Sequence, residues 1–179
     1  MGKGESKSID STALVDEYVA SLAAAPLCRF FDWPNSAIPR VCAGVYAVYD
    51  RDGRFIYIGM AGALLTESAI EKKKKTGRKS GLFDRLNAHV SGYRSGDRFN
   101  IYIGDLYVLG RLSQLQIQQI STGKSEFDAF IKKYIRDELS YRYLELPNAV
   151  VRELEDYIKI KGINGELPSI NSKEKKQNE

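Results

Sequence analysis

The stretch Val41-Cys-Ala-Gly-Val-Tyr-Ala-Val-Tyr49, with Asp50-Arg-Asp-Gly53 and Arg54-Phe-Ile-Tyr-Ile-Gly59 behind it, decides the fold. Its first segment is β-branched, aromatic or small throughout, the composition of a buried strand. Asp50 to Gly53 is a turn sequence, because aspartate side chains bond back to nearby amides and glycine accepts a positive φ. The second segment is again strand-like, and the short link makes the pair an antiparallel hairpin. Within it Tyr46 and Val48 share one face, and pairing is expected to set Tyr57 opposite Tyr46, so that two phenols meet on one surface. Gly59 ends the second strand without a side chain, which leaves room for a ligand or another backbone.

Upstream of the hairpin, Leu14, Val15, Tyr18, Val19 and Leu22 recur at helical spacing after the capping candidates Asp10 and Ser11, and Pro26, Pro34 and Pro39 then interrupt the chain. Downstream, residues 60–80 read as a long loop with one helical turn around 67–74. Ser80 is expected to cap a helix over 81–90 whose core face is Leu82, Phe83, Leu86 and Val90. Residues 99–109 read as a third strand, 124–139 as an amphipathic helix, and 140–146 as a fourth strand. Asn148 is expected to cap a last helix that runs to Lys161, with Gly162 and Gly165 opening an exit loop to Pro168 and Asn171. The expected fold class is α+β, a small antiparallel sheet flanked by helices. One domain covers 10–171, with its core at 40–171 and a basic insertion at 60–80, between polar tails at 1–9 and 172–179.

The bulk numbers agree with one domain: 179 residues and 20.1 kDa are short for two well-packed cores. A composition 43% hydrophobic and 28% charged, with 15 Gly and 5 Pro, excludes collagen-like, proline-rich and wholly disordered classes. No apolar run approaches the roughly 18 residues of a membrane span, and the polar N-terminus lacks a signal-peptide core, so a cytoplasmic protein without a membrane partner is expected. Cys28 and Cys42 with a single histidine make no structural zinc set and read as two reduced, buried thiols. The net charge of +4 is concentrated: Lys72, Lys73, Lys74, Lys75, Arg78 and Lys79 make six of eight consecutive residues basic. Such a run suits an anionic partner or a solvated loop.

Gly44-Val45-Tyr46 and Tyr57-Ile58-Gly59, with the tyrosines eleven positions apart, are followed by Arg85 and His89 on one helix, Glu155 on the last helix and Pro168-Ser-Ile-Asn171 after it. In this order the residues resemble the signature of the GIY-YIG nuclease superfamily, over most of 40–171. The resemblance implies a GIY-YIG-like fold and a divalent-metal-dependent endonuclease, with DNA as partner and Mg²⁺ or Mn²⁺ as cofactor. It also implies roles: Tyr46 activates or orients water, Tyr57 positions the phosphate or that water, Arg85 stabilises the developing charge, and Glu155 holds the metal. Gly44, Gly59 and Asn171 would be structural residues near the site. Val45 departs from the family's isoleucine, and the segments from Tyr57 to Arg85 and from Leu109 to Leu146 are enlarged, which leaves the substrate open.

The residue chemistry stands beside the resemblance. Arg85 and His89 lie four apart and project from one helical face, where a guanidinium can grip a phosphate and an imidazole can move a proton near neutral pH. Glu153 and Glu155 flank the apolar arc of the last helix on opposite sides, and periodicity does not choose between them. One carboxylate plus water and substrate phosphate suits a single Mg²⁺. Each residue also has a plainer role: on one alternative the chain is a catalytically inactive nucleic-acid-binding module on the same fold, in which Lys72 to Lys79 and the cleft only hold phosphates, and on another an interaction domain with the tyrosines as core, His89 as a non-catalytic ring and the basic run as a solvated loop. A phenol with a pKa near 10 is a poor base at pH 7, which makes water activation the hardest step to explain. Tyr102-Ile103-Gly104 repeats the second motif but lies 56 residues beyond Tyr46, and reads as third-strand core. A single domain cuts one strand, so double-strand cleavage would need a homodimer or two encounters.

Overall fold

The computed structural model describes residues 11–172, so the expected tail at 1–9, all of the other tail but Ser172, and the capping role of Asp10 lie outside the described residues. The elements are α1 (Ser11–Ala24), β1 (Cys28–Arg29), β2 (Val41–Cys42), β3 (Gly44–Tyr49), β4 (Phe55–Ala61), α2 (Glu67–Lys75), β5 (Ser80–Gly81), α3 (Leu82–Ser91), α4 (Arg98–Ile103), α5 (Gln114–Ser121), α6 (Phe127–Glu138), β6 (Ser140–Glu145) and α7 (Val151–Lys161). The described chain is α+β, with an antiparallel sheet in the order β1-β6-β3-β4 and a separate two-residue parallel pair, β2 with β5.

The β3–β4 hairpin forms where the sequence places it. Asp50 Oδ1 accepts from the amides of Asp52 and Arg54, each at 2.9 Å, and Gly53 takes a φ of 79°. The register differs from expectation: Tyr46 faces Gly59, and Tyr57 faces Val48. The two tyrosines are therefore diagonal neighbours on one face, not an opposed pair. Facing residues share a side of the sheet, so the glycine leaves its side open to the Tyr46 ring.

The sheet separates two apolar layers. Val45, Ala47 and Ile58 pack with Leu22 of α1 and Val151, Leu154 and Ile158 of α7, while Tyr46, Val48 and Tyr141 pack with α3, α4 and α6. The outer edge of β4 is covered by the exit loop, whose residues 169 and 170 donate to the carbonyls of Phe55 and Ile56 at 3.3 and 2.9 Å. Asn171 completes that cover by bonding both backbone groups of Ile58, accepting from its N at 3.2 Å and donating to its O at 2.7 Å. No helix among the described residues is long and apolar enough to cross a membrane.

Several local expectations are corrected. Residues 99–109 are not a strand: α4 is followed by a π-helical turn over Gly104–Val108 and a 3-10 turn over Leu109–Arg111. Asp97 caps this helix by accepting from Phe99 N at 3.0 Å, and the buried positions Phe99, Asn100, Ile103, Gly104 and Val108 follow helical spacing. Tyr102 to Gly104 therefore lies on helical turns, where a Cβ on Gly104 would meet Ile131 at 2.8 Å. The expected single turn around 67–74 is a nine-residue helix, α2, capped by Thr66; Lys72 to Lys75 fall in its last turn, where the helix dipole favours cations, and Arg78 and Lys79 follow it. Ser80 lies in β5 and does not cap α3, and α7 starts after Val150 without a side-chain cap from Asn148. Cys28 is only partly buried, and Cys42 is buried; both are free.

Candidate active site

Four elements bring the expected site residues to one end of the hairpin. Tyr46 is buried at 1% exposure, with its ring across Gly59: a Cβ there would lie 2.3 Å from the Tyr46 Oη. The space that Gly59 leaves is thus filled by the phenol, not by an outside ligand. Gly44 is equally constrained, because a Cβ there would meet the Leu144 carbonyl oxygen at 2.2 Å and Leu82 at 2.6 Å, so it sets the approach of β6 and α3 to β3. Tyr57 is partly buried beside Tyr46, with ring centroids 6.3 Å apart, and stands edge-on to His89 and to Phe99.

His89 does not share a solvent face with Arg85. It is buried at 1% exposure, its Nε2 is 2.6 Å from Tyr46 Oη, and its Nδ1 is 2.6 Å from Asp97 Oδ2. Asp97, itself 5% exposed, is a member of the site that sequence reasoning missed. A capping-type Asp followed by an aromatic helix start was the available signal, but it was hidden by reading 99–109 as a strand. Asn100 fastens the same corner by donating to the Ala88 and Tyr93 carbonyls at 3.2 and 2.9 Å.

Arg85 and Glu155 lie around this buried chain, the first exposed and the second largely buried. Arg85 is exposed, and its positive charge favours ionisation of both phenols. Glu155 lies near the buried side of α7 because only Val151, Leu154 and Ile158 are fully buried there; Glu153 points away and is exposed. The Glu155 charge acts on both tyrosines, which separates it from Glu153 where periodicity did not. Glu155 Oε2 is 3.1 Å from Lys159 Nζ, with side-chain exposures of 13% and 17%, so Lys159 is a second member that the sequence did not disclose.

Electrostatics opposes free phenolates. Burial is the main cause holding Tyr46 well above its ordinary value, reinforced by the negative charges nearby and opposed by Arg85. Tyr57 is pushed up to about 12, again chiefly by burial and then by Glu155. Burial pushes His89 below its ordinary value despite the pull of Asp97, so the ring is neutral at pH 7. A proton can leave Tyr46 only if its hydrogen-bond partner takes it, and that partner is a neutral imidazole.

The basic run divides. Lys73 donates to Ser80 Oγ at 3.0 Å and, with Arg85 and Arg152, lines an open cavity of about 440 Å³ beneath β4 and α2. Lys79 turns the other way, its Nζ 4.9 Å from the centre of the Phe83 ring, into a separate cavity with Arg40, Lys132 and Arg136. Lys72, Lys74, Lys75 and Arg78 are exposed on or just after α2. Of the run, Lys73 shares a cavity with Arg85, and none of its side chains bonds to the Tyr46–His89–Asp97 chain.

No group of three or more His, Cys, Asp or Glu side chains among the described residues is arranged to hold a metal ion. A Mg²⁺ ion that keeps most of its waters needs one carboxylate and a substrate phosphate, and Glu155 at the rim meets that requirement in competition with Lys159. The chain matches no protein-family model, no curated protein and no solved structure.

Proposed function

We propose that this chain is a divalent-metal-dependent endonuclease that hydrolyses phosphodiester bonds in DNA at a GIY-YIG-type site. The observation that carries the reading is the 2.6 Å contact between the Tyr46 phenol and His89, both buried, with the partly exposed Tyr57 beside them and the charges of Arg85 and Glu155 acting on both phenols. The contact supports the reading because it gives the Tyr46 hydroxyl a neutral imidazole as partner, a group able to take its proton.

In the proposed step a water gives its proton to Tyr46 Oη while Tyr46 passes its own to His89 Nε2. The water oxygen forms the new bond to phosphorus. The bond to the leaving oxygen breaks with its electron pair, and that oxygen takes a proton from solvent. Tyr46 is buried, and Tyr57, partly exposed beside it, would position the phosphate or the water that reaches the phenol. Arg85 offers two donors to the phosphate oxygens as their charge grows. Glu155 would hold Mg²⁺ or Mn²⁺, which when bound supplies Lewis-acid polarisation of the phosphate. Lys72, Lys73, Lys74, Lys75 and Arg78 would track the DNA backbone beside the site. The place of action on this reading is the cytoplasm, and double-strand cuts would come from a homodimer or successive encounters.

Supercoiled plasmid and single-stranded DNA, incubated with Mg²⁺, with Mn²⁺ and with EDTA, test the reading. Nicking that EDTA abolishes is the expected result. Stable DNA binding without a cut under any metal would make the chain a binding module, and no binding at all would remove DNA as the partner.

A further inference from the structure

An ionised carboxylate only accepts hydrogen bonds, and both Asp97 oxygens are committed. Oδ1 accepts from Phe99 N at 3.0 Å as the cap of α4, and Oδ2 lies 2.6 Å from His89 Nδ1. Burial pushes the Asp97 carboxyl up, but the His89 hydrogen bond and the amides of Phe99 and Asn100 outweigh it and hold the group below its ordinary value. Nδ1 must therefore carry the ring proton. On a neutral ring Nε2 is then a bare lone pair, and the Tyr46 hydroxyl 2.6 Å away must donate to it.

We propose that Asp97 is the positioning residue of this site: by accepting from His89 Nδ1–H it aims the Nε2 lone pair at Tyr46 and makes His89 the acceptor of the Tyr46 proton. The proposal rests on the nuclease reading of Tyr46 and His89 and adds to it the group that sets their direction of proton transfer. Of the charged or titratable groups around His89, Tyr46 stands on β3, Tyr57 on β4 and Arg85 on α3 itself, and Asp97 alone meets Nδ1. The Phe99 ring, with its centroid 4.4 Å from that of His89, closes the imidazole from the α4 side with an apolar surface. When water is deprotonated, one proton moves from water to Tyr46 and another from Tyr46 to Nε2. The ring becomes an imidazolium that Asp97 stabilises, and it returns the proton to solvent after the cut.

The two duties of Asp97 are separable. Asn is as good a cap as Asp, so in Asp97→Asn the amide oxygen keeps the Phe99 N–H and the NH₂ turns toward His89. That NH₂ can only donate, so Nδ1 must become the acceptor and the ring proton moves to Nε2. Nε2–H then points at Tyr46 and the exit for the Tyr46 proton is closed, with the fold kept.

His89 is the only histidine of the chain, so a long-range ¹H–¹⁵N spectrum of the protein contains one imidazole. The wild type is expected to show a protonated Nδ1 and an unprotonated Nε2 near pH 7.5, and Asp97→Asn the reverse. The variant should lose about 10²-fold or more in single-turnover cleavage at saturating DNA, the range of general acid–base catalysis, with unchanged DNA affinity in the absence of metal. Nε2 protonated in the wild type would overturn the proposal, and this measurement decides even if the variant does not fold. A variant with the reversed tautomer that cuts at the wild-type rate would overturn it too, as would a folded variant that keeps the Nδ1 proton. The expected tautomer in a wild-type protein that cuts no DNA would instead overturn the nuclease reading, and with it the catalytic duty of Asp97.

Discussion

Gly59→Ala adds one methyl group and removes no functional group, yet it should disable the site. The new Cβ would lie 2.3 Å from Tyr46 Oη, 2.4 Å from Cζ and 2.9 Å from Cε1. Nonbonded contacts of this kind settle near 3.5 Å, so the phenol has to move by about 1 Å. Gly59 is not among the glycines with positive φ, so alanine meets no backbone penalty and the clash acts alone. Moving Oη that far from His89 stretches the 2.6 Å hydrogen bond to about 3.5 Å or more, beyond useful geometry. Overpacking of this size costs about 1–3 kcal/mol, and Tm should fall by about 2–4 °C for each kcal/mol. A 1 Å misplacement of a reacting group also lowers cleavage by about 10²-fold. Thermal unfolding and single-turnover cleavage are to be measured beside Gly110→Ala, where a Cβ has no neighbour within 4 Å and no effect is expected. A Gly59→Ala protein with wild-type Tm and cleavage would refute the reasoning, because the Tyr46 ring could not then be where its function requires.

Three further outcomes are expected. Glu155→Gln should abolish turnover while DNA binding survives or tightens, and Glu153→Gln should cut normally, read by single-turnover cleavage against Mg²⁺ concentration; the reverse pattern would move the metal ligand to the far side of α7. Lys159→Met removes the cation that competes for Glu155, so the Mg²⁺ concentration for half-maximal cleavage should fall by about fivefold, the equivalent of about 1 kcal/mol for a partly exposed pair; a rise would show that Lys159 instead contacts substrate. Neutralising Lys72 to Lys75 should lower the salt dependence of DNA binding by about one unit of slope for each phosphate that is no longer neutralised, with little change in cleavage at saturation; an unchanged slope would make the α2 lysines a solvated face.

The hairpin was legible because strand composition and turn chemistry agree over residues 41–59, and the long amphipathic α6 and α7 were legible from their period. Residues 99–109 were not: Phe-Asn-Ile-Tyr-Ile carries strand-forming side chains that outweigh the local signal of the Asp97 cap, and the packing against Ile131 that favours the helix is long-range. That misreading concealed Asp97, and with it the reason His89 is buried. The apolar period of α7 leaves Glu153 and Glu155 equivalent, and it is the fully buried set of Val151, Leu154 and Ile158 that separates them. Register was illegible for a similar reason: the irregularity between Val48 and Tyr49 shifts the pairing by one residue, so that Gly59 faces Tyr46 where the turn-side register continued would set Ile58, and neither register opposes the two tyrosines.

The central claim is that the Tyr46 hydroxyl, bonded to His89, is the group through which water is deprotonated in a metal-dependent cut. Tyr46→Phe removes that oxygen alone and leaves the ring over Gly59. Tyr102→Phe, on α4, is its matched control. Single-turnover plasmid nicking in Mg²⁺, with an EDTA blank for each protein, is the direct measurement. The account predicts that Tyr46→Phe keeps its fold and its DNA affinity but loses about 10²-fold or more in rate, while Tyr102→Phe nicks like the wild type. Nicking by Tyr46→Phe at the wild-type rate would contradict it.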